Sequence, residues 1–363
     1  MVSRRLQRAV SRVVGRLTHR LSTLPVLVVM PIAACNCRCL MCDIWKGNDR
    51  RVRMDRARLS ALCGEISLLG VRELVVSGGE ALLAPDLFAF LSEVKALSSP
   101  PRVTLLSSGL TVEQQAGEIA ARCDELIVSL DGPPEVHDRI RSVPRAFARL
   151  AGGVAALRDV RADFPIAGRS VVQRENYDCM SATIGAAQAL GLDRISFLAA
   201  DVSSLAFNRP HGWEAERLAE VALSAAQATD LRERIEELIA RHHREIETRF
   251  VAESPAKLRR IAAHFAALAA GRLPESPPCN APWVSAVVEA DGAVRPCFFH
   301  ASYGKTGAGA GGDLQGVLNS GAAVTFRKSL SVRENPVCRS CVCPLRLPWS
   351  AEAGARPPRP RRR

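Results

Sequence analysis

Two groups of thiols in this chain have the types and spacing to do chemistry. Cys35, Cys37, Cys39 and Cys42 crowd one short stretch near the start, and Cys279, Cys297, Cys338, Cys341 and Cys343 gather near the end. Of the 12 cysteines, only Cys63, Cys123 and Cys179 lie elsewhere. A chain of 363 residues can bury a core without covalent staples, so clustered thiols read as metal ligands rather than as a disulfide framework. Cys35, Cys39 and Cys42 have the spacing CxxxCxxC. Three thiolates leave a four-iron cluster with one open iron, whereas a closed zinc site needs a fourth ligand, which Cys37 could supply. The spacing favours iron–sulfur and leaves zinc open. Other groups stand ready beside these thiols. Ser77-Gly78-Gly79-Glu80 offers a carboxylate beside backbone that can approach a ligand closely. Asp201 is a candidate general base, with capping of its own loop as the bland alternative. His211, His300 and Tyr303 are weaker candidates for proton transfer.

The elements that must position these groups alternate along the chain. Val26–Ile32, Arg72–Ser77, Arg102–Ser107, Glu125–Leu130, Gly168–Gln173 and Arg194–Ala199 read as short strands buried on both faces. Helical patterns fall between them at about 56–69, 86–97, 112–122, 145–159 and 179–190. Six β/α units predict an α/β fold with a parallel sheet, open or curled into a barrel. Active sites in such folds collect at the carboxyl ends of the strands, where the first thiols, Glu80 and Asp201 all fall. Beyond residue 205 the texture changes to charged helix over 213–247 and an Ala-rich helix over Lys257–Ala270. Pro274, Pro277 and Pro278 then mark a boundary before Cys279. Residues 284–297 read as a hairpin turning at Asp291-Gly292. Gly304–Gly312 lacks the Lys-Ser or Lys-Thr of a phosphate loop and is expected to be a flexible linker.

Charge narrows the classes further. The net charge is +12, and residues 1–22 with residues 344–363 account for +11 of it, six arginines at each end against Glu352. The body has no excess to spread along a phosphate backbone, so a globally basic nucleic-acid binder is not what the composition shows. Leu6, Val10, Val13, Leu17 and Leu21 recur at helical spacing opposite Arg5, Arg8, Arg12, Arg16 and Arg20, an amphipathic basic helix. It has three fates: packing on the body, lying on an anionic membrane, or meeting an acidic partner. The tail from Arg356 is too rich in Pro and Arg to fold alone. The run Leu24–Ala34 ahead of Cys35 imitates a lipoprotein signal, but it contains Pro25 and Pro31 and is too short to span a bilayer. The expected location is cytoplasmic.

With CxxxCxxC in the loop after the first strand, the chain resembles the radical SAM superfamily. Gly78-Gly79-Glu80 after strand two is similar to the family's GGE motif, although Ala81 stands where proline is usual. Ser129-Leu130-Asp131-Gly132-Pro133, followed by His137-Asp138 and Arg141, resembles the SLDGP stretch of members that carry a SPASM or Twitch extension. Cys279-x12-Gly292-x4-Cys297 with Cys338-x-x-Cys341 resembles the Twitch half of that extension. The resemblance implies a partial (β/α)6 radical SAM barrel with a small C-terminal Twitch-type extension. It implies a SAM-binding 4Fe–4S cluster on Cys35, Cys39 and Cys42 and one auxiliary 4Fe–4S cluster on Cys279, Cys297, Cys338 and Cys341. Gly78, Gly79 and Glu80 would hold the methionine part of S-adenosylmethionine, with Ser129 and Arg141 on its carboxylate. Cys343 is a spare thiol or an alternative ligand. Val172, Asn176, Phe197 and Leu198 are core or adenine-facing, and Ser107-Ser108-Gly109 replaces the usual TNG.

The segments expected on this basis are an N-terminal helix (1–24), the barrel (25–212), a helical linker (213–273), the auxiliary cluster domain (274–345) and a basic tail (346–363). The activity implied is hydrogen-atom abstraction by a 5′-deoxyadenosyl radical, ending in oxidation or bond formation on a small molecule, lipid or peptide. An electron donor such as flavodoxin or ferredoxin is implied as partner. The residues ahead of Cys35 leave no room for a fused peptide-recognition or cobalamin domain, so a peptide would need a separate recognition partner. The rival from another class is a non-catalytic zinc-binding interaction protein with basic tails.

Overall fold

The computed structural model describes residues 13–49, 52–209, 211–307 and 313–348. Half of the expected N-terminal helix, most of the Gly-rich stretch after Gly307 and nearly all of the basic tail lie outside these residues. Helix α1 is described over residues 13–18.

Six parallel strands follow: β1 (Val26–Val29), β2 (Glu73–Val76), β3 (Arg102–Ser107), β4 (Glu125–Ser129), β5 (Ile166–Val172) and β6 (Arg194–Ala199). They lie side by side in chain order, as short strands with apolar side chains on both faces should. The crossovers are α2 (Arg56–Leu68), α3 (Leu87–Lys95), α4 (Val112–Arg122), α5 (Pro134–Arg141) with α6 (Ala146–Val160), and α7 (Met180–Ala189). Each turns an apolar stripe toward the sheet; Leu59, Phe90, Ile119, Leu150 and Ile184 are fully or almost fully buried. The core sits between these helices and strand residues such as Leu74, Leu105, Leu126 and Ile195.

Two features depart from the sequence reading. The expected hairpin forms, but it joins the main sheet instead of standing apart in the auxiliary domain. After the short helix α12 (Ala281–Val284), β7 (Ser285–Val288) pairs parallel to β1, with Val26 opposite Ser285 and Val29 opposite Val288. Then β8 (Ala293–Arg295) and β9 (Gly304–Lys305) add antiparallel, giving the order β6-β5-β4-β3-β2-β1-β7-β8-β9. Gly304 and Lys305 are thus strand, where a flexible linker was expected. Second, the helical stretch beyond β6 also supplies extended backbone. Between α8 (Ala215–Val221), α9 (Ala225–Arg241), α10 (His243–Glu247) and α11 (Pro255–Ala269), Ile195 N donates to Phe250 O and Ala252 N to Ile195 O. That covers the otherwise open edge of β6. The chain ends in α13 (Leu314–Leu318), α14 (Gly321–Ser329) and α15 (Pro336–Arg339).

Two thiol centres at the strand ends

Pro31 ends the first strand early, and the loop that follows is held from three sides. Ile140 O and Arg141 O at the end of α5 accept from Leu40 N and Arg38 N at 3.0 and 3.1 Å. Asn48 Oδ1 accepts from Cys35 N at 2.9 Å. On the third side lies the Gly78-Gly79 turn, where a Cβ on Gly79 would stand 2.3 Å from Ala34 O. A Cβ on Gly78, at φ +135°, would meet Ile32 O at 3.0 Å. The glycines therefore serve a close approach to the cysteine loop itself, and Glu80 N donates to Ala34 O at 2.9 Å.

The thiols this loop presents are mostly sequestered. Cys37 and Cys39 are buried, while Cys35 and Cys42 are half-buried. Arg141 Nη1 points at Cys39 Sγ, 3.4 Å away. Burial pushes the Cys42 thiol up to about 12, and a hydrogen bond with the Cys35 thiol together with burial does the same for Cys37. A metal centre must displace these protons to bind. Glu80 is fully buried on β2's exit, its Oε2 accepting from Ser108 N at 2.7 Å and Ser108 Oγ at 2.6 Å. Burial raises its pKa, and the Ser108 bonds oppose the rise. Ser108 Oγ also lies 3.2 Å from Asn36 Oδ1, so the serine that replaces the usual TNG ties Glu80 to the cysteine loop.

Arg141 is buried and ion-paired with the fully buried Asp131. It is not a solvated helix charge. Ser129 closes β4, directly opposite Arg169 of β5 in the register. Arg169 escaped the sequence reading. It shares a sheet face with Ser129, and its Nε has no partner among the described residues. An arginine inside an apolar strand was the available signal. Asn176 is structural, its Nδ2 donating to Asp131 O at 2.8 Å and Val171 O at 3.1 Å. Val172 and Phe197 are fully buried core, and Leu198 lines a small cavity with His264 and Cys341.

Asp201 takes the capping role that the sequence left open. Its carboxylate accepts from Ser203 N at 3.4 Å and Ser204 N at 3.2 Å, and from Ser204 Oγ, and it is ion-paired with Arg209. Both partners are buried. With its oxygens occupied, the geometry suits Asp201 to holding the loop after β6 more than to taking a substrate proton. Arg209, missed in the sequence, stacks 4.5 Å from the Trp213 ring and 5.5 Å from Phe207. That loop reaches both thiol centres. Trp213 Nε1 donates to Asp43 Oδ2 at 2.7 Å and Asn208 Nδ2 to Asp43 O at 3.1 Å, beside Cys42. Phe207 packs on Phe298 and Phe299, beside Cys297.

The second centre draws on three segments. Cys279 precedes α12, Cys297 follows β8, and Cys338 lies on α15 under its Asn335 cap, whose Oδ1 accepts from Cys338 N at 3.2 Å. Cys279, Cys297, Cys338 and Cys341 are all half-buried, and Cys343 is exposed. Burial first, then the neighbouring Cys279, raises Cys297 to about 11, and burial followed by Cys297 and Cys279 raises Cys338 to about 12. Cys341 is raised in the same way, with Cys343 as an additional neighbour. His300 Nε2 lies 3.3 Å from Cys338 Sγ, and Tyr303 is tied to Arg327. His211 is exposed.

As they stand, no three of the described His, Cys, Asp or Glu side chains are arranged to hold a single metal ion. The fit rests on the donor sets: one loop with CxxxCxxC held against a buried carboxylate, and a separate all-thiol group suited to full ligation.

Comparison with known proteins follows the same division. Residues 29–186 match the family model described as Radical SAM superfamily, and residues 279–342 match that of an iron–sulfur cluster-binding domain, SPASM. An AdoMet-dependent heme synthase of Methanosarcina barkeri is 32% identical over 165 residues, 44% of this chain and 46% of that protein. A PqqA peptide cyclase of Ruegeria pomeroyi is 29% identical over 238 residues, 64% of this chain and 56% of that protein. The chain thus spans about half the length of these curated relatives. Streptococcus suis SuiB, solved bound to its precursor peptide SuiA, superposes with a TM-score of 0.62 at 15% identity, over 93% of this chain and 75% of that one. At that identity the likeness speaks for the fold.

Proposed function

Since the chain belongs to the radical SAM superfamily and carries a SPASM-type iron–sulfur domain, we propose that it cleaves S-adenosylmethionine reductively and oxidises or cross-links a substrate, a peptide being the class favoured. When bound, the 4Fe–4S cluster and S-adenosylmethionine supply a 5′-deoxyadenosyl radical that abstracts hydrogen. The observation that carries this reading is the contact of the Gly78-Gly79 turn with Ala33 and Ala34, which sets Glu80 against the cysteine loop. Cys35, Cys39 and Cys42 would hold the cluster, and Glu80 would face the ammonium of the cofactor. Ser129 would orient its carboxylate, with Arg169 opposite it joining or replacing Arg141, whose guanidinium already meets Asp131 and Cys39. Cys279, Cys297, Cys338 and Cys341 would hold the auxiliary cluster, with Cys343 adjacent. The peptide class rests on the PqqA peptide cyclase, whose match extends further along this chain than that of the heme synthase.

Anaerobic reconstitution tests this directly. The protein should turn brown with about seven or eight irons per chain, and the electron paramagnetic resonance of its reduced form should change on adding S-adenosylmethionine. A colourless protein with stoichiometric zinc and no such change overturns the reading.

The proposed site of action is the cytoplasm, with α1 touching an anionic membrane surface. Support comes from Val13, Val14 and Leu17, which are 45%, 46% and 74% exposed beside Arg16 and Arg20, an outward apolar edge with basic neighbours. No helix among the described residues is long and apolar enough to cross a membrane. Leu17→Ser should weaken co-sedimentation with phosphatidylglycerol vesicles; equal binding by the variant, or none by either protein, sinks the membrane contact.

A further inference from the structure

A cleft of about 830 Å³ opens beside Cys279, on the outer side of the second thiol centre. Arg16, Arg333, Arg339 and Arg346 line it against a single acid, Glu275. Arg16, Arg333 and Arg346 are exposed. Arg339 donates to Pro274 O and Leu273 O, both at 3.0 Å, which fixes its guanidinium without neutralising it. The wall bearing Arg346 is fastened by Asn280, which exchanges hydrogen bonds with Leu347 at 2.6 and 2.9 Å and donates its N–H to Leu345 O. Trp283 Nε1, 3.4 Å from His19 Nδ1, ties the α1 segment that carries Arg16 into the same wall. On a body that is otherwise near neutral, this is a concentrated single-sign field in a built concavity.

Concave positive surfaces steer anionic partners and raise encounter rates. Cys279 in the wall places a ligand of the proposed auxiliary cluster in contact with whatever occupies the cleft. Electron-transfer encounters bury little area and rely on electrostatic guidance, which a charged cleft of this size supplies. We propose that the cleft docks an acidic one-electron carrier protein. One electron leaves the reduced carrier, which is oxidised by one unit, and enters the chain's iron–sulfur centre, which is reduced by one unit. No bond forms or breaks and no proton need move. The inference rests on the iron–sulfur reading of the second thiol centre.

The test is binding of an acidic plant-type ferredoxin to the reconstituted protein, followed by calorimetry at low and high salt, alongside stopped-flow reduction by ferredoxin and by dithionite. Arg333→Glu with Arg346→Glu should weaken ferredoxin binding by about tenfold or more at low salt, and the difference should shrink as salt screens it. Ferredoxin-driven reduction should slow in step, while dithionite reduction stays unchanged. The milder Arg333→Gln with Arg346→Gln should give an intermediate effect, and unchanged dithionite kinetics in both variants excludes misfolding as the cause. Wild-type binding in the charge-reversed protein overturns the proposal, including the case in which an acidic peptide binds there instead. Failure of the functional reading is visible separately, as a wild-type protein that takes up no iron.

Discussion

At the scale of single residues, the site is organised by what cannot be larger or charged. A methyl group on Gly79 would stand 2.3 Å from Ala34 O, a backbone atom that can yield only by moving the cysteine loop. Gly79→Ala should destabilise the fold by about 1–3 kcal/mol, and halve the iron bound, with the second centre still filled. Gly117→Ala, where nothing lies within 4 Å, should be neutral or slightly stabilising in the same denaturation series. Histidines give a pH signature. Burial lowers both His137 and His264 to about 4, below the ordinary histidine value that the unfolded chain would show. The unfolded state then binds the extra protons, so the stabilisation is present at neutral pH and lost as pH falls through this window. Between pH 7.5 and 5.5 the two should together cost about 2–3 kcal/mol, and His264→Gln should flatten the slope in urea melts. The motif residues were legible because chemistry constrains their type and spacing. Arg209 was not, because a lone arginine in a loop carries no mark of burial until its partners are known, and Arg169 left only the faint signal of an arginine inside an apolar strand.

At the scale of elements, the loop after β6 holds the account together. It spans from Asp43 beside the first thiols to Phe298 and Phe299 beside the second. The buried Asp201–Arg209 pair fixes it. Arg209→Met should cost about 3–5 kcal/mol by stranding a buried carboxylate, and Asp201→Asn added to it should restore much of that loss. If the double variant regains stability and turnover together, Asp201 is a positioning residue; turnover still lost in a stable double variant would instead make it the base. Alternating strands and helices were readable because strands buried on both faces leave unbroken apolar runs. The docking of β7 on β1 was not, since their local patterns fit any buried strand and the pairing is remote in sequence. The strand-like Phe250–Ala252 that covers β6 was hidden for the same reason, within charged helical surroundings.

For the whole molecule, the sheet makes one scaffold of the two centres: β1 leads into the first cysteine loop, and its neighbour β7 begins the hairpin that carries Cys297. The charge of +12 is concentrated at the ends, and Arg16 and Arg346 bring part of it beside Cys279. The central claim, that Cys35, Cys39 and Cys42 hold a cluster that works on S-adenosylmethionine, has one direct test. The reconstituted protein is reduced anaerobically with S-adenosylmethionine, and 5′-deoxyadenosine is quantified for wild type, Cys39→Ala and Cys37→Ala. The account predicts formation by wild type and by Cys37→Ala, and none by Cys39→Ala. Undiminished 5′-deoxyadenosine from Cys39→Ala, or none from an iron-loaded wild type, would contradict it.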